Sequence, residues 1–301
     1  LLVQEHWPSA AIAVLTGRGV QQGRAATGEI LDRALLSAQE LHAQGGGIYV
    51  DTLSARLLAG RFVLSQRSDG RVLLQEERDA SRPLLGKPTP FVGREGELGT
   101  LESLLLGAFD ESAARAVLVT GPPGAGKSRL RHELLRRAAA LSTPPTQLVG
   151  CGDSLHAGTA YRVVAQALLA RCQLSGSEPV ADKWRRMQQQ LGPLLTQHVP
   201  ATEQARLLPL LAELCGVWLS DAECPALAKL RQQPQKLPDQ LRWAALTWLS
   251  AECQASPVLL VLDDLQWVDP LSLRLLDEAL HSLRHAPLFV LALARPDVHV
   301  T

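Results

Sequence analysis

The chain has 301 residues, room for about two domains, and its 46% hydrophobic and 20% charged residues give it a core and exclude a disordered tail. Thirty Lys+Arg balance 30 Asp+Glu, locally as well as overall: 10 against 9 in residues 1–90, 20 against 21 in 91–301. That balance argues against a charged arm or a dedicated nucleic-acid binder, and no apolar run approaches the ~18–20 residues of a membrane span.

The first elements form a small α+β unit. Ser9–Thr16 reads as a strand ending at Gly17, and Gly28–Ala43 has a helical apolar period through Ile30, Leu31, Ala34, Leu35 and Leu41. Gly45-Gly46-Gly47 stops that helix. Ile48–Val50 is a short strand, and Leu53–Ala59 a short helix capped at Gly60. Arg61–Ser65 and Arg71–Gln75 form a hairpin around Ser68-Asp69-Gly70. Glu76–Pro90, polar and carrying three prolines, reads as a linker. From Phe91 onward strands alternate with helices, which predicts an α/β fold with a parallel sheet. The strands are Ala116–Thr120, Gln147–Cys151, Val258–Leu262 and Leu288–Ala294. The helices are Lys127–Leu141, Ala160–Leu174 and Leu271–Leu283. A helical insert over 181–253 is broken at Pro193, Pro200, Pro225 and Pro234.

Two stretches carry chemistry. Gly121, Pro122, Pro123, Gly124, Ala125, Gly126, Lys127 and Ser128 fit GxxxxGK[ST] between a strand and a helix. Glycines let successive N–H groups turn inward onto an anion, and the helix N-terminus adds partial positive charge. Lys127 can reach β/γ-phosphate oxygens, and Ser128 can offer its hydroxyl to Mg²⁺. A chain of this composition gives about 0.003 such matches by chance; the bland reading is a glycine-rich turn. The second stretch, Leu259–Asp264, is an apolar strand ending in two carboxylates, where open α/β sheets bind ligands. Asp263 would hold Mg²⁺, and Asp264 would orient or deprotonate an attacking water. The alternative is a solvated strand end where Asp begins a loop.

Phe91-Val-Gly-Arg-Glu-Gly-Glu-Leu98, the phosphate loop and Val261-Leu-Asp-Asp-Leu-Gln-Trp-Val-Asp-Pro270 together resemble the signalling P-loop ATPases of the AAA+/STAND superclass, in particular the Orc-like "AAA 16" domain of large bacterial regulators. The resemblance covers about 91–301 and implies a P-loop NTPase fold with ATP and Mg²⁺. It implies that Val92, Gly93 and Arg94 lie near the adenine. It also implies that Arg295, ending the strand Leu291-Ala-Leu-Ala-Arg295, senses the γ-phosphate; otherwise Arg295 is a surface arginine before Pro296. Asp264 favours the STAND side, whose hydrolysis is slow and switch-like. The family continues into a further helical lid, which the resemblance leads us to expect beyond residue 301. Its members sit between an input domain, often a kinase or cyclase, and helical repeats, and nucleotide-dependent oligomers are compatible with it.

Ala11-Ile-Ala-Val-Leu-Thr-Gly17 followed by Thr27-Gly-Glu-Ile-Leu-Asp-Arg-Ala34 resembles the second half of a class III nucleotide cyclase, as do Gly47–Asp51 and Arg61–Leu64. Active members carry G-D-x-V-N-x-A-x-R on the helix. Asp32 stands here at the Asn position and Leu36 at the Arg position, so the resemblance implies a degenerate domain over 1–77. A plain α+β linker domain is the alternative.

Five cysteines (Cys151, Cys172, Cys215, Cys224, Cys253) form no CxxC pair. They read as buried thiols of a reducing cytoplasm, Cys151 included. Trp243, Trp248 and Trp267 read as core packing. His281 and His285, spaced i, i+4 at a helix end, read as solvated rather than as metal ligands. Leu1 in place of Met leads us to expect a piece of a longer protein. The leading function is an ATP-dependent switch; the competing readings are an active cyclase region and a non-hydrolysing scaffold. ATP against GTP stays open.

Overall fold

The computed structural model describes residues 10–17, 20–22, 25–27, 29–43, 47–58, 62–66, 72–77, 93–153, 160–174 and 178–296. It divides into two compact units, 1–90 and 91–301. Among the described residues no helix is long and apolar enough to cross a membrane.

The first unit begins with strand β1 (Ala11–Val14), the two-strand ribbon β2 (Val20–Gln22) and β3 (Ala25–Thr27), and helix α1 (Glu29–Ala43). Then follow β4 (Gly47–Val50), helix α2 (Thr52–Leu58), β5 (Phe62–Gln66) and β6 (Val72–Glu77). The sheet order is β1-β4-β6-β5. β1 and β4 are parallel, as a strand–helix–strand crossover requires; β6 is antiparallel to both β4 and β5. Ile48, Val50, Ala55 and Leu74 form its small core. Asp51 starts α2 by accepting the Ser54 N–H at 2.9 Å. The ribbon β2–β3 escapes sequence reading because it is short and lacks an apolar alternation. The linker expected from Glu76 starts later, since β6 runs to Glu77. The turn at Ser68-Asp69-Gly70, Gly45, Gly46, Gly60 and most of the linker lie outside the described residues.

The second unit opens with helix α3 (Glu95–Asp110), followed by β7 (Arg115–Thr120), helix α4 (Lys127–Ala139), β8 (Thr146–Cys151) and helix α5 (Arg162–Arg171). Helices α6 (Val180–His198), α7 (Ala201–Leu214), α8 (Pro225–Arg231) and α9 (Leu237–Ala255) make the insert. The chain returns through β9 (Val258–Asp263), a single 3-10 turn (Leu265–Trp267), helix α10 (Pro270–Ser282) and β10 (Leu288–Ala294). The four strands are all parallel, in the order β7-β10-β9-β8. Alternate residues of the central strands serve opposite layers. Leu259, Val261, Phe289, Leu291 and Leu293 pack on Leu98, Leu101 and Leu105 of α3 and Leu130 and Leu134 of α4. Val258, Leu260, Leu262 and Val290 pack on α5, α9, α10 and the insert. Hence the continuous apolar run of β9, which is buried on both faces.

Two features depart from the sequence expectation. Helix α3 is masked in sequence by Gly96, Gly99 and Gly107, each costing about 1 kcal/mol against alanine. Its buried face, Leu98, Leu101, Leu105 and Ala108, outweighs them. Pro193 does not break the insert as expected: it lies inside α6, and Pro209 lies inside α7. An internal proline costs about 3 kcal/mol. α6 buries Met187, Leu191, Leu194 and Leu195, at about 1.5–3 kcal/mol each, so tertiary packing wins. Pro200 and Pro225 do start α7 and α8.

On α4, Glu133 accepts hydrogen bonds from Arg136 and Arg137, and Arg137 also bonds Glu102 on α3. The Arg136 hydrogen bond is the main reason the Glu133 carboxyl falls to about 2; burial opposes it and Arg137 assists. With its folded value depressed, Glu133 stabilises the fold above its ordinary range near 4.5, and this support is lost as pH falls through about 2. Glu133→Gln is therefore expected to flatten the acid side of the Tm–pH curve between those limits. Parallel curves for variant and wild type would disprove it.

Candidate functional site

The carboxyl ends of β7, β9 and β10 meet at one rim of the parallel sheet. From β7 the chain enters the loop 121–126, where Gly124 (φ +81°) and Gly126 (φ +85°) adopt the left-handed conformation that glycine alone takes without strain. Gly126 is the N-cap of α4, so the free N–H groups at the start of α4 flank the loop. A Cβ built on Gly124 would meet nothing within 4 Å, so the space above the loop is open. The Lys127 ammonium donates to Gly121 O at 2.5 Å and Pro122 O at 3.2 Å. It thus stands over the loop, held by the loop's own carbonyls. Ser128 is exposed in the first turn of α4.

Asp263 ends β9, only 8% exposed. One carboxylate oxygen accepts the Asp264 N–H at 3.0 Å, and the other faces Arg131 of α4 at 3.1 Å. This ion pair joins the helix that begins in the loop to the acidic strand. Burial pushes the Asp263 carboxyl above its usual range; Arg131 opposes the rise and Asp264 adds to it. Asp264 has left-handed backbone (φ 50°, ψ 50°), a conformation aspartate tolerates better than most residues. Its Oδ1 accepts Gln266 Nε2 at 2.7 Å, and Gln266 Oε1 accepts the Arg295 backbone N–H at 3.2 Å. Arg295 follows β10 directly, and the preceding carbonyl of Ala294 accepts the Gly121 N–H at 3.2 Å. Gly93 (φ +83°) and Arg94 precede α3, and a Cβ on Gly126 would lie 3.9 Å from Arg94 Nε. Arg94 is thus at the loop. Val92 lies outside the described residues.

Three further residues shape this rim. Gly152 follows β8 and donates to Asp263 O at 2.9 Å; a Cβ there would come within 2.3 Å of Asp264 O, so only glycine fits beneath the acidic turn. Asp269, buried, caps α10 by accepting from Ser272 N at 2.9 Å and Ser272 Oγ at 2.7 Å. It also accepts Tyr161 N–H at 3.0 Å, which fixes the start of α5. Asp269→Ala removes a cap and two more buried bonds and is expected to cost about 2–4 kcal/mol. Urea unfolding would read this, and a loss under 1 kcal/mol would refute it. Sequence reading missed Arg131, Gln266 and Gly152. The available signal was spacing: Arg131 lies one helical turn after Lys127, on the same face.

Two expectations are corrected. Cys151 is exposed at the end of an edge strand rather than buried. Desolvation, with Asp263 and Asp264 nearby, still holds its thiol up to about 11, which leaves no thiolate nucleophile. Trp248 is core, but Trp267 is 39% exposed because it lies in the 3-10 turn beyond the sheet. Trp243 is partly buried, with Arg206 stacked 4.0 Å from its ring centroid. His281 Nδ1 lies 2.8 Å from Asp277 O on α10.

The family described as "AAA ATPase domain" matches residues 90–291. The chain belongs to this family. The AAA ATPase match and the parallel sheet flanked by helices together make the second unit an α/β P-loop NTPase. A protein of Rhizobium meliloti (strain 1021), itself uncharacterized, is 27% identical over 210 residues. The match takes in 69% of this chain but only 19% of that protein's length. No solved structure matches. The loop is open, the Lys127 ammonium stands over it, Ser128 is exposed beside it, and Arg131 ties the same helix to Asp263.

Proposed function

We propose that this AAA ATPase chain is the nucleotide-driven switch module of a larger cytoplasmic signalling protein, of STAND type. It binds ATP with Mg²⁺ and hydrolyses it slowly to reset its state. The observation that carries this reading is the Arg131–Asp263 ion pair, through which the helix bearing Lys127 and Ser128 touches the acidic strand. In this reading the loop 121–126 wraps the phosphates, with the N–H groups of Gly124 and Gly126 as donors and Gly121, Pro122, Pro123 and Ala125 shaping the turn, the Gly121 and Ala125 N–H groups being spent on Ala294 O and Pro122 O. Lys127 balances the phosphate charge. Ser128 and Asp263 would hold Mg²⁺, which would supply positive charge beside the phosphoryl group. Asp264 would orient the attacking water, Arg295 would lie toward the γ-phosphate, and Gly93 and Arg94 would border the base. The partners are other domains of the same protein: an upstream kinase or cyclase region and downstream helical repeats. The test is binding and turnover of ATP and GTP by the purified chain with and without Mg²⁺. Mg²⁺-dependent ATP binding is expected; its absence would refute the proposal.

For residues 1–77 we propose a degenerate class III cyclase half. The parallel pair β1–β4 joined through α1, and the antiparallel β5–β6 pair, agree with that reading. Leu36 is 58% exposed on α1 and offers no donor to a developing phosphoryl charge; Asp32, on the same helix, puts a negative charge where a neutral amide would orient the ribose. Losing one preorganised donor costs about 10²–10³ in rate, and two positions differ here. A cyclic-nucleotide assay of the region, joined to its upstream half, is expected to stay at background. Turnover above it would restore the cyclase reading.

A further inference from the structure

Between Gly121 and Asp264 runs a series of three hydrogen bonds that all point one way. The Gly121 N–H donates to Ala294 O at 3.2 Å. The other end of that same peptide unit, the Arg295 N–H, donates to Gln266 Oε1 at 3.2 Å. Gln266 Nε2 then donates to Asp264 Oδ1 at 2.7 Å. At each intermediate step the acceptor and the donor belong to one amide, first the Ala294–Arg295 peptide and then the Gln266 carboxamide, and the series ends on a carboxylate, so each bond is polarised in the same sense as its neighbours.

Position 266 admits few side chains. An ionised carboxylate only accepts, and a backbone N–H only donates, so the side chain between them must present a donor to Asp264 and an acceptor to Arg295. A carboxamide does both, and these two partners fix which end is nitrogen. Glutamate would set a second negative charge against Asp264. Lysine and arginine have no acceptor for the Arg295 N–H.

We propose that Gln266 is a positioning residue that couples the two halves of the site. It holds the Asp264 carboxylate in register with the peptide that joins Ala294 to Arg295, and through that peptide with Gly121 of the phosphate loop. A displacement of the loop at Gly121 is passed to Asp264 through the Ala294–Arg295 peptide and the Gln266 carboxamide. This inference rests on the proposed ATPase reading for its catalytic consequence, but the coupling itself does not.

The experiment is amide hydrogen exchange at Arg295 in the whole chain, read by NMR or in peptides spanning 294–297. Gln266→Met keeps the side-chain volume and removes both bonds; it is expected to speed Arg295 exchange about fivefold, the worth of one ordinary hydrogen bond. The deciding variants lie at Asp264, which does not touch Arg295. Asp264→Gly tolerates the left-handed backbone and unanchors Gln266, so Arg295 exchange rises. Asp264→Asn keeps an acceptor for Gln266, so protection stays and reports that the fold is intact. A purely structural brace would give faster exchange in Gln266→Met and none in Asp264→Gly; that result overturns the coupling. In steady-state hydrolysis Gln266→Met is expected to lower kcat about tenfold with KM unchanged, whereas a rise in KM alone contradicts a positioning role. Wild-type protein that turns over no ATP would refute the functional reading, and the exchange result would still decide the coupling.

Discussion

Replacing Lys127 by alanine is expected to weaken ATP binding by about 1.5–3 kcal/mol, roughly 10- to 150-fold in Kd, with the fold intact. Lys127 is the only side-chain cation within the loop 121–128, and charge-assisted bonds to phosphate outlast the solvation that cancels neutral ones. Its present partners, Gly121 O and Pro122 O, are backbone acceptors that water can serve in its absence. Stability should therefore move far less than affinity. Titration with a fluorescent ATP analogue, beside a melting curve, reads both. Unchanged affinity would place nucleotide elsewhere than 121–128.

Asparagine at Asp264 and at Asp263, one at a time, should separate hydrolysis from metal-dependent binding. Asp264→Asn keeps the turn and the bond from Gln266 but loses a base; positioned proton transfer is worth about 10²–10⁴ in rate, so kcat falls while ATP still binds. Asp263→Asn should weaken binding only where Mg²⁺ is present. It should also behave unusually toward heat. Burial raises the Asp263 carboxyl above its ordinary value, although Arg131 opposes the rise. A raised carboxyl stabilises the fold fully below the unfolded value of 3.8, and that contribution is lost as pH rises through the folded value. At neutral pH the charge is a burden on the fold, so the Asn variant is expected to melt at or above the wild-type temperature. A fall of several degrees would mean that the Arg131 pair outweighs burial. Identical kinetics for both variants would refute the division of roles.

The parts of this site legible in sequence are those whose physics is local. The loop 121–128 announces itself because glycine, lysine and hydroxyl must sit at fixed spacing on one turn. Asp263 and Asp264 are legible because a buried strand cannot end in charge without reason. Gln266 and Gly152 were not legible, since their roles depend on partners 29 and 112 residues away: Arg295 for one, Asp264 for the other. Arg131 reads as a surface helix residue until β9 is folded beside it. The insert shows the opposite error. Pro193 gave a strong local signal, and tertiary burial of Leu191 and Leu194 overrode it.

The two halves of the site hang from strands of unequal security. β9 and β10 are enclosed on both faces, whereas β7 lies at the sheet edge with Ala116, Leu118 and Thr120 exposed. Small openings of a protein begin where few apolar contacts must be given up. The phosphate loop can thus loosen from its edge while the carboxylates stay locked in the interior. A ligand gripping the loop would tighten the weakest margin of the sheet and leave its centre as it was, which concentrates the mechanical effect of binding on the side of the molecule that can yield.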